Sequence, residues 1–418
     1  MQRNSTDIVI VGAGMAGLTL AAALAELEIS VVIVDPQIPA QPDQWPQQFD
    51  PRVSALTQAS ESILRKLGAW EGMAQQRVAP FAHMDVWDRE GTGNIQFHAN
   101  EAGAEHLGHI VENRITTHAL MQVVQRAPNV QFLQTGLEKI LESEAGTGWQ
   151  VHFSDGQVFE PTLLIGADGG RSRVRDQLGF RCRTWAYDQS AIVTTVQTEL
   201  PHGDCARQVF LETGPLAFLP LRQQSQQRDS HICSIVWSAE QGQAQALLEL
   251  GDEAFKAQLA SVFEHRLGGI EQIDPRLSFP LIQNHAVDYA MPGVALIGDA
   301  AHTIHPLAGQ GINLGFLDAA VLAEEIQRAV EYELPLSDFS ILRRYQRRRK
   351  PHNLALMSTM EGFKRLFGSQ IPPLRVARNV GMSFFNRHSM IKGQIMARAM
   401  GMEGDLPKLA QPELLADF

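Results

Sequence analysis

Cysteine is scarce, with Cys182, Cys205 and Cys233 the three in 418 residues. An odd number leaves one over from any pairing, and their spacing matches no metal-binding pattern. No disulfide scaffold and no metal site are therefore expected, and reduced thiols of a cytoplasmic protein are. No apolar run is long enough to span a bilayer. Met1 to Thr6 lead straight into a strand pattern, so no secretory leader is expected. Positive charge is also short: 35 Lys and Arg stand against 46 Asp and Glu, and the net charge of −11 argues against nucleic-acid binding. No repeat or low-complexity tract stands out. At 44% hydrophobic and 19% charged, the composition is that of a globular chain with ample core for two domains or one large interleaved one.

The positive charge is unevenly placed. Arg343 to Arg398 holds 13 Lys/Arg and one acid, Glu361, so that segment carries +12 and the remainder −23 of the total −11. Two accounts stay open: an acidic partner or membrane surface for this tail, or pairing with the acidic body of the same chain.

The first chemistry-bearing stretch opens the chain. Ile8–Val11 is a buried strand, Gly12-Ala13-Gly14-Met15-Ala16-Gly17 follows at once, Leu18–Leu27 is an Ala/Leu-rich helix, and Val31–Val34 is a second strand closed by Asp35. This is a complete βαβ unit with a dinucleotide fingerprint in its proper context. Gly12 allows the tight turn, Gly14 lets the backbone approach a pyrophosphate, and Gly17 lets helix and strand pack closely. The helix N-terminus supplies N–H donors and a positive dipole end. The Asp35 carboxylate suits a ribose diol and would repel a 2′-phosphate.

A Pro/Gln/Asp-rich loop then leads to Arg52, which reads either as a surface charge or as a contact to cofactor phosphates. A hairpin is expected within His83–Phe97, and a helix over Ile115–Val124 with Asn113 as N-cap. Short strands are expected at 130–133, 140–143, 149–153 and 158–159, with a turn at Ser154–Gln157. Leu163–Ile165 is a buried strand ending in Gly166-Ala167-Asp168-Gly169-Gly170-Arg171-Ser172-Arg173-Val174-Arg175. From Gln189 to Pro280 strands dominate, interrupted by one acidic helix, Gly251–Phe263.

The third motif comes nearly three hundred residues after the first: Leu296-Ile297-Gly298-Asp299-Ala300-Ala301-His302-Thr303-Ile304-His305-Pro306-Leu307-Ala308-Gly309-Gln310-Gly311-Ile312-Asn313-Leu314-Gly315. An apolar strand ends in an acid, a Gly-rich loop follows, and a long helix begins. Three such motifs at strand ends are met most simply by one extended cofactor. A helix N-terminus near Gly309–Asn313 would stabilise a cofactor that gains negative charge on reduction. That describes FAD better than NAD.

With these motifs the chain resembles the flavoprotein aromatic hydroxylases of the para-hydroxybenzoate hydroxylase superfamily, and among them the bacterial ubiquinone-biosynthesis hydroxylases. The matching segments are Gly12–Gly17, Arg52-Val53-Ser54-Ala55, Val111-Glu112-Asn113, Ile165–Gly169 with Ser172 and Arg175, and Gly298–Gly315. The resemblance implies an α/β fold: a Rossmann-like FAD-binding domain with a parallel sheet, interleaved with a β-rich substrate domain and followed by a C-terminal helical segment. The expected division is FAD-binding parts at 1–80, 109–188 and 285–350, a substrate-domain hairpin at 81–108, a β-rich substrate domain at 189–284 and a helical tail at 351–418.

The resemblance also implies residue roles. Gly12, Gly14, Ala16, Gly17 and Asp35 would hold the ADP half of FAD; many relatives have Glu at the place of Asp35. Arg52 would contact the flavin side. Asn113 stands where many members carry Arg. Asp168 and Gly169 belong to a motif associated with FAD and reduced nicotinamide, and Gly298 and Asp299 would meet the ribityl chain. Pro306 would lie near the reactive flavin carbon, with Gly309, Gln310, Gly311, Ile312 and Asn313 along the pyrimidine edge. Pro306, His305 and Gly309 are the expected catalytic positions. For His302 and His305, proton transfer competes with loop hydrogen bonding or helix capping.

The implied reaction is ring hydroxylation of a polyprenylated phenol in ubiquinone biosynthesis through a flavin C4a-hydroperoxide. NAD(P)H or another donor would be the reductant, with O₂ as co-substrate. Water must be excluded and the ring oriented. Expected partners are that substrate, a ubiquinone-biosynthesis complex, and a membrane met through the basic tail, which would place the protein in the cytoplasm, peripheral at the inner face. Phe218 and Pro220 are expected to line the substrate pocket. The alternatives are a soluble phenolic acid as substrate, a flavin dehydrogenase that does not use O₂, and a non-catalytic flavin-binding subunit.

Overall fold

The computed structural model describes residues 3–143, 148–227, 230–304, 311–367, 371–388, 392–393, 396, 400–401 and 404–412. The chain opens with β1 (Arg3–Val11), α1 (Met15–Ala23) and β2 (Val31–Val34). Helix α1 starts three residues before the apolar pattern, directly after Gly14. It is buried nearly all round because it is clamped between the sheet and later helices. There follow β3 (Val53–Thr57), α2 (Gln58–Lys66), α3 (Trp70–Ala74), β4 (Ala79–Phe81) and the hairpin β5 (His83–Asp88) to β6 (Asn94–His98). Next are β7 (Gly108–Glu112), α4 (Asn113–Arg126), β8 (Val130–Leu133), β9 (Leu137–Glu142), β10 (Trp149–Phe153), β11 (Val158–Gly166) and α5 (Arg173–Gln177).

Two expectations change here. Glu112, and not Asn113, is the N-cap of α4. The segments 158–159 and 163–165 are one strand running through Pro161. Proline is tolerated because β10 pairs only with Val158 and Phe159 and β19 only from Leu164 onward, so on that side Pro161 needs no N–H.

The β-rich part comprises β12 (Cys182–Thr198), β13 (Cys205–Leu211), β14 (Gly214–Leu221), β15 (Ile232–Glu240), α6 (Gln241–Glu249), α7 (Asp252–Val262), β16 (Ile270–Ile273) and β17 (Leu277–Ala286). The chain then returns through β18 (Ala290–Met291), β19 (Val294–Leu296) and β20 (His302–Thr303) to α8 (Gly311–Glu331), α9 (Phe339–Phe367) and α10 (Pro372–Arg387). Helix α6 has too weak an apolar stripe to have been expected.

The first sheet has the order β18-β19-β11-β1-β2-β8, parallel from β19 to β8. The second has the order β20-β17-β12-β15-β14-β13-β5-β6, so the hairpin at 83–98 joins the β-rich part, while β3-β7-β4 form a small third sheet. The parts are interlocked. Strand β12 runs across the expected boundary at 188/189, and His302 and Thr303 of the third motif pair with β17 of the β-rich sheet.

Part of the basic tail pairs with acids elsewhere in the chain. Arg344 meets Glu325, Arg348 meets Glu324 and Asp405, Arg349 meets Asp318, Arg378 meets Asp88, and Lys392 meets Glu101. Of the two accounts left open by composition, internal pairing holds for these five side chains. No described helix is long and apolar enough to cross a membrane.

Candidate active site

Three loops leave the carboxyl ends of neighbouring parallel strands. The loop after β1 turns at Gly12, whose φ of +108° favours glycine, and a Cβ there would run into the Ala167 carbonyl of the loop after β11. A Cβ at Gly17 would strike the carbonyl of Gly12, whereas one at Gly14 would meet nothing within 4 Å. Gly14 thus faces open space at the N-terminus of α1. Asp35, at the end of β2, accepts from Ala13 N at 2.9 Å and from Gln37 N at 2.8 Å, so its carboxylate steadies the loop.

The loop after β11 is organised by Asp168. Its Oδ2 accepts from Arg173 N at 2.7 Å and Val174 N at 3.1 Å, while its buried Oδ1 has no hydrogen-bond partner among the described residues. Buried Arg175 donates to Gly170 O at 3.0 Å and to Ala300 O at 3.3 Å, tying this loop to the third.

The third loop follows β19. Gly298 has φ +59°, and a Cβ there would press on the Ala16 methyl of α1; Gly315 of α8 lies against the same methyl. The first and third motifs therefore touch through small residues. Asp299 is exposed at the carboxyl end of β19. Desolvation pushes its carboxyl pKa up, with His302 opposing and Asp318 adding. No side-chain hydrogen bond holds it among the described residues.

Residues 5–359 match the model of the FAD-binding domain family. The chain belongs to this family. It is 36% identical over 402 residues to the 3-demethoxyubiquinol 3-hydroxylase of Escherichia coli (strain K12), covering 96% of this chain and 100% of that protein. It is 35% identical to the ubiquinone hydroxylase UbiL of Rhodospirillum rubrum, covering 94% and 89%. With the mitochondrial ubiquinone biosynthesis monooxygenase COQ6 of Homo sapiens it shares 31%, covering 94% and 92%. Among solved structures, p-nitrophenol 4-monooxygenase PnpA from Pseudomonas putida DLL-E4 superposes with a TM-score of 0.77 at 17% identity, covering 97% of this chain and 100% of that one. PqsL from Pseudomonas aeruginosa, a probable FAD-dependent monooxygenase, gives 0.73 at 22%, covering 91% and 100%. These structures show the same fold.

The cleft fits FAD. Gly14 leaves room for a pyrophosphate, and among the described residues neither Asp168 Oδ1 nor the exposed Asp299 carboxylate has a hydrogen-bond donor. Exposed Arg52 makes no ion pair among the described residues, and its loop is held from behind by Glu112. That fully buried carboxylate lies between Arg77 at 2.9 Å and Arg114 at 2.6 Å and accepts from Asp50 N at 2.6 Å.

Two asparagines have structural duties. Asn113 Oδ1 accepts from Ser54 Oγ at 2.6 Å. Asn313, 5% exposed, accepts from Thr57 N at 3.0 Å and Ser60 Oγ at 2.7 Å and donates to Ala55 O at 2.8 Å. Its side chain staples α8 to β3 and α2. Gly311 and Ile312, at the start of α8, are half-buried. His305, Pro306, Gly309 and Gln310 lie outside the described residues.

Sequence reading missed a buried polar network under the third loop. Asp318 of α8 accepts from Gly298 N at 3.1 Å and meets His302 Nε2 at 2.5 Å, Arg349 Nε at 2.7 Å and Asn353 Nδ2 at 3.1 Å. Burial alone would raise its pKa; His302 and Arg349 outweigh that and hold it well below the usual carboxylate range. Tyr289 and His285 extend the network, with His285 Nε2 3.1 Å from the Tyr289 hydroxyl. His302 is thus part of the loop's foundation. An Asp inside the apolar helix pattern after Asn313 was the one available signal.

The expected pocket residue Phe218 faces away from the cleft. It is 1% exposed and stacks on Phe263, 3.7 Å between ring centroids, in the outer core with α7. Pro220, two residues on, shares that strand face. Ala217 and Leu219 face inward instead, where with Ala206, Ala55, Ile110 and Phe81 they line a small cavity of about 30 Å³ against the third sheet. A cavity of about 780 Å³ bounded by Thr6, Glu28, Ser30 and Gln131 lies at the amino ends of the parallel strands, the opposite end from the three loops.

Proposed function

We propose that this FAD-dependent monooxygenase hydroxylates the aromatic ring of a polyprenylated phenol or quinone intermediate in ubiquinone biosynthesis. The observation that carries the reading is the convergence of Gly12–Gly17, Asp168 and Asp299 on one cleft, in a chain whose relatives named as ubiquinone hydroxylases align over nearly its full length. Bound FAD, reduced by NAD(P)H or another donor, activates O₂ so that one oxygen atom is transferred to an electron-rich ring.

The chain's own residues bind and orient. The α1 N-terminus and Gly14 would hold the pyrophosphate, Asp35 a ribose diol, and Asp299 the ribityl hydroxyls. Arg52 would contact the flavin side, and backbone N–H groups at Gly311–Asn313 would favour the added negative charge of the reduced flavin. For Pro306, His305, Gly309 and Gln310 the proposal takes over what the resemblance implies, positions beside the reactive flavin carbon and along its pyrimidine edge. The inner face of the β-rich sheet carries Ala191, Val193 and Leu281, with exposed Leu277 and Phe279 at its rim. Such a wall repels water and suits a polyprenyl tail.

Membrane contact is part of the proposal. At least five of the tail's 13 basic side chains are paired internally, and attachment draws on the rest together with exposed Ile371 and Val380, which are 57% and 63% exposed. Association with other ubiquinone-biosynthesis proteins remains part of the same proposal.

The test has two arms. The purified protein is expected to show a flavin absorbance spectrum, and a deletion strain to accumulate an under-hydroxylated polyprenyl intermediate. Absence of flavin even after FAD addition overturns the cofactor; unchanged quinone pools overturn the substrate.

A further inference from the structure

We propose that Glu61, His106 and His109 form a binding site for a divalent transition-metal ion of the zinc class, built between α2 and β7 outside the cofactor cleft. Glu61 projects from α2, His106 precedes β7, and His109 lies within it. Glu61 Oε2 is 2.9 Å from His106 Nε2 and 3.2 Å from His109 Nδ1, and all three ligand atoms lie within 4.8 Å of one another. Zinc bonds nitrogen and oxygen at about 2.0–2.2 Å, which sets ligand atoms roughly 3–3.5 Å apart. Two of the separations are thus already close to those of a coordinated set.

The site has an orphan aimed into it. His109 Nδ1 is buried and lacks a hydrogen-bond partner among the described residues, although the carboxylate is its neighbour. Its side chain is 9% exposed and that of Glu61 10%, while His106 is 24% exposed and gives an ion a route from solvent and room for water.

The surroundings match a metal set. Arg65 holds the other Glu61 oxygen, Oε1, at 2.7 Å, which leaves Oε2 to the ion; its side chain is 45% exposed and its charge is screened. Gln58 Nε2 donates to the His106 carbonyl at 2.7 Å, and Trp70 packs edge-on against the His109 ring at 4.8 Å. Two imidazoles and one carboxylate select zinc, nickel or cobalt over calcium or magnesium.

The ion has a structural consequence. It ties α2 to β7, and Ser60, next to Glu61, donates to Asn313 at the start of α8. Sequence reading expected no metal because the ligands come from segments 45 residues apart in no recognised motif.

The test is calorimetric titration of EDTA-treated, FAD-loaded full-length protein with Zn²⁺ alone. One site of micromolar affinity or tighter is expected at pH 7.5, weakened about tenfold or more at pH 5.5 as the imidazoles protonate. The site is expected to vanish in His106→Gln and to survive in His98→Gln, which alters the separate His83–His98 pair. X-ray absorption of the zinc-loaded wild type, independent of any variant, is expected to show two imidazoles and one carboxylate. No zinc binding, undiminished binding in His106→Gln, loss in His98→Gln, or a different ligand shell overturns the proposal.

Discussion

The backbone N–H of Gly298 donates to Asp318 Oδ2 at 3.1 Å, so the turn that presents Asp299 stands on a fully buried carboxylate of α8. His302, Arg349 and Asn353 bond the same carboxylate, which couples the third motif to α8 and α9.

Asp318→Asn keeps the shape but leaves Arg349 buried without its counter-charge. A loss of about 3–5 kcal/mol is expected, read as a lower urea midpoint. FAD retention should fall with it. An unchanged midpoint would show that the network contributes nothing to the fold.

Acid sensitivity should draw on two kinds of buried group, histidines with lowered pKa such as His285 and carboxylates with depressed pKa such as Asp318. Burial, with His302, Lys350 and Arg183, pushes the His285 pKa down from 6.5 to about 4. Between those values the unfolded state binds the extra proton, so stability falls as pH drops from 6.5 toward 4. Asp318 is depressed instead, so its stabilisation is complete above the ordinary carboxylate value of 3.8 and is lost as pH falls below it. His285→Gln is expected to reduce the slope of the stability profile between pH 6.5 and 4 while leaving the loss at lower pH.

Asp299→Ala should separate cofactor affinity from folding. The side chain is exposed to the cleft and holds no described structural bond. FAD affinity is expected to fall roughly tenfold to a hundredfold, the loss of one or two charge-assisted hydrogen bonds, with the apo-protein melting temperature unchanged. Fluorescence titration with FAD and thermal scanning of the apo form read the two effects.

Asn313→Ala should do the reverse of what its motif position implies. It strips partners from Thr57 N, Ser60 Oγ and Ala55 O. Roughly 1–3 kcal/mol of stability should be lost, before any direct effect on FAD. A normal melting temperature with weak FAD binding would show that the Asn313 side chain serves the cofactor directly.

Phe218→Ala is expected to cost about 3–5 kcal/mol by opening a cavity against Phe263, with substrate KM unchanged once the folded fraction is corrected for. Ala217→Leu, on the inward face, overfills the small cavity against the third sheet and is expected to cost about 1–3 kcal/mol of stability.

The two asparagines show where sequence reading stopped. The turn at Gly12, the open helix end at Gly14 and the close packing at Gly17 were legible because such backbone duties are set by residues a few positions apart. Asn113 and Asn313 sit in equally recognisable motifs. Their side chains, however, are taken by Ser54 and Ser60, 59 and 253 residues away in the chain.

By itself the sequence determined the α/β class, the three glycine loops at strand ends, the β-rich insertion and FAD as the expected cofactor, because backbone signatures and strand periodicity are short-range properties. Tertiary structure decided the rest. It chose Ala217 over Phe218 as the inward face, since either face of an apolar strand satisfies the same pattern. It paired part of the basic tail with acids elsewhere in the chain, and it assembled Asp318, His302 and Arg349 beneath Gly298. Buried charges take their partners only when packing brings distant segments together.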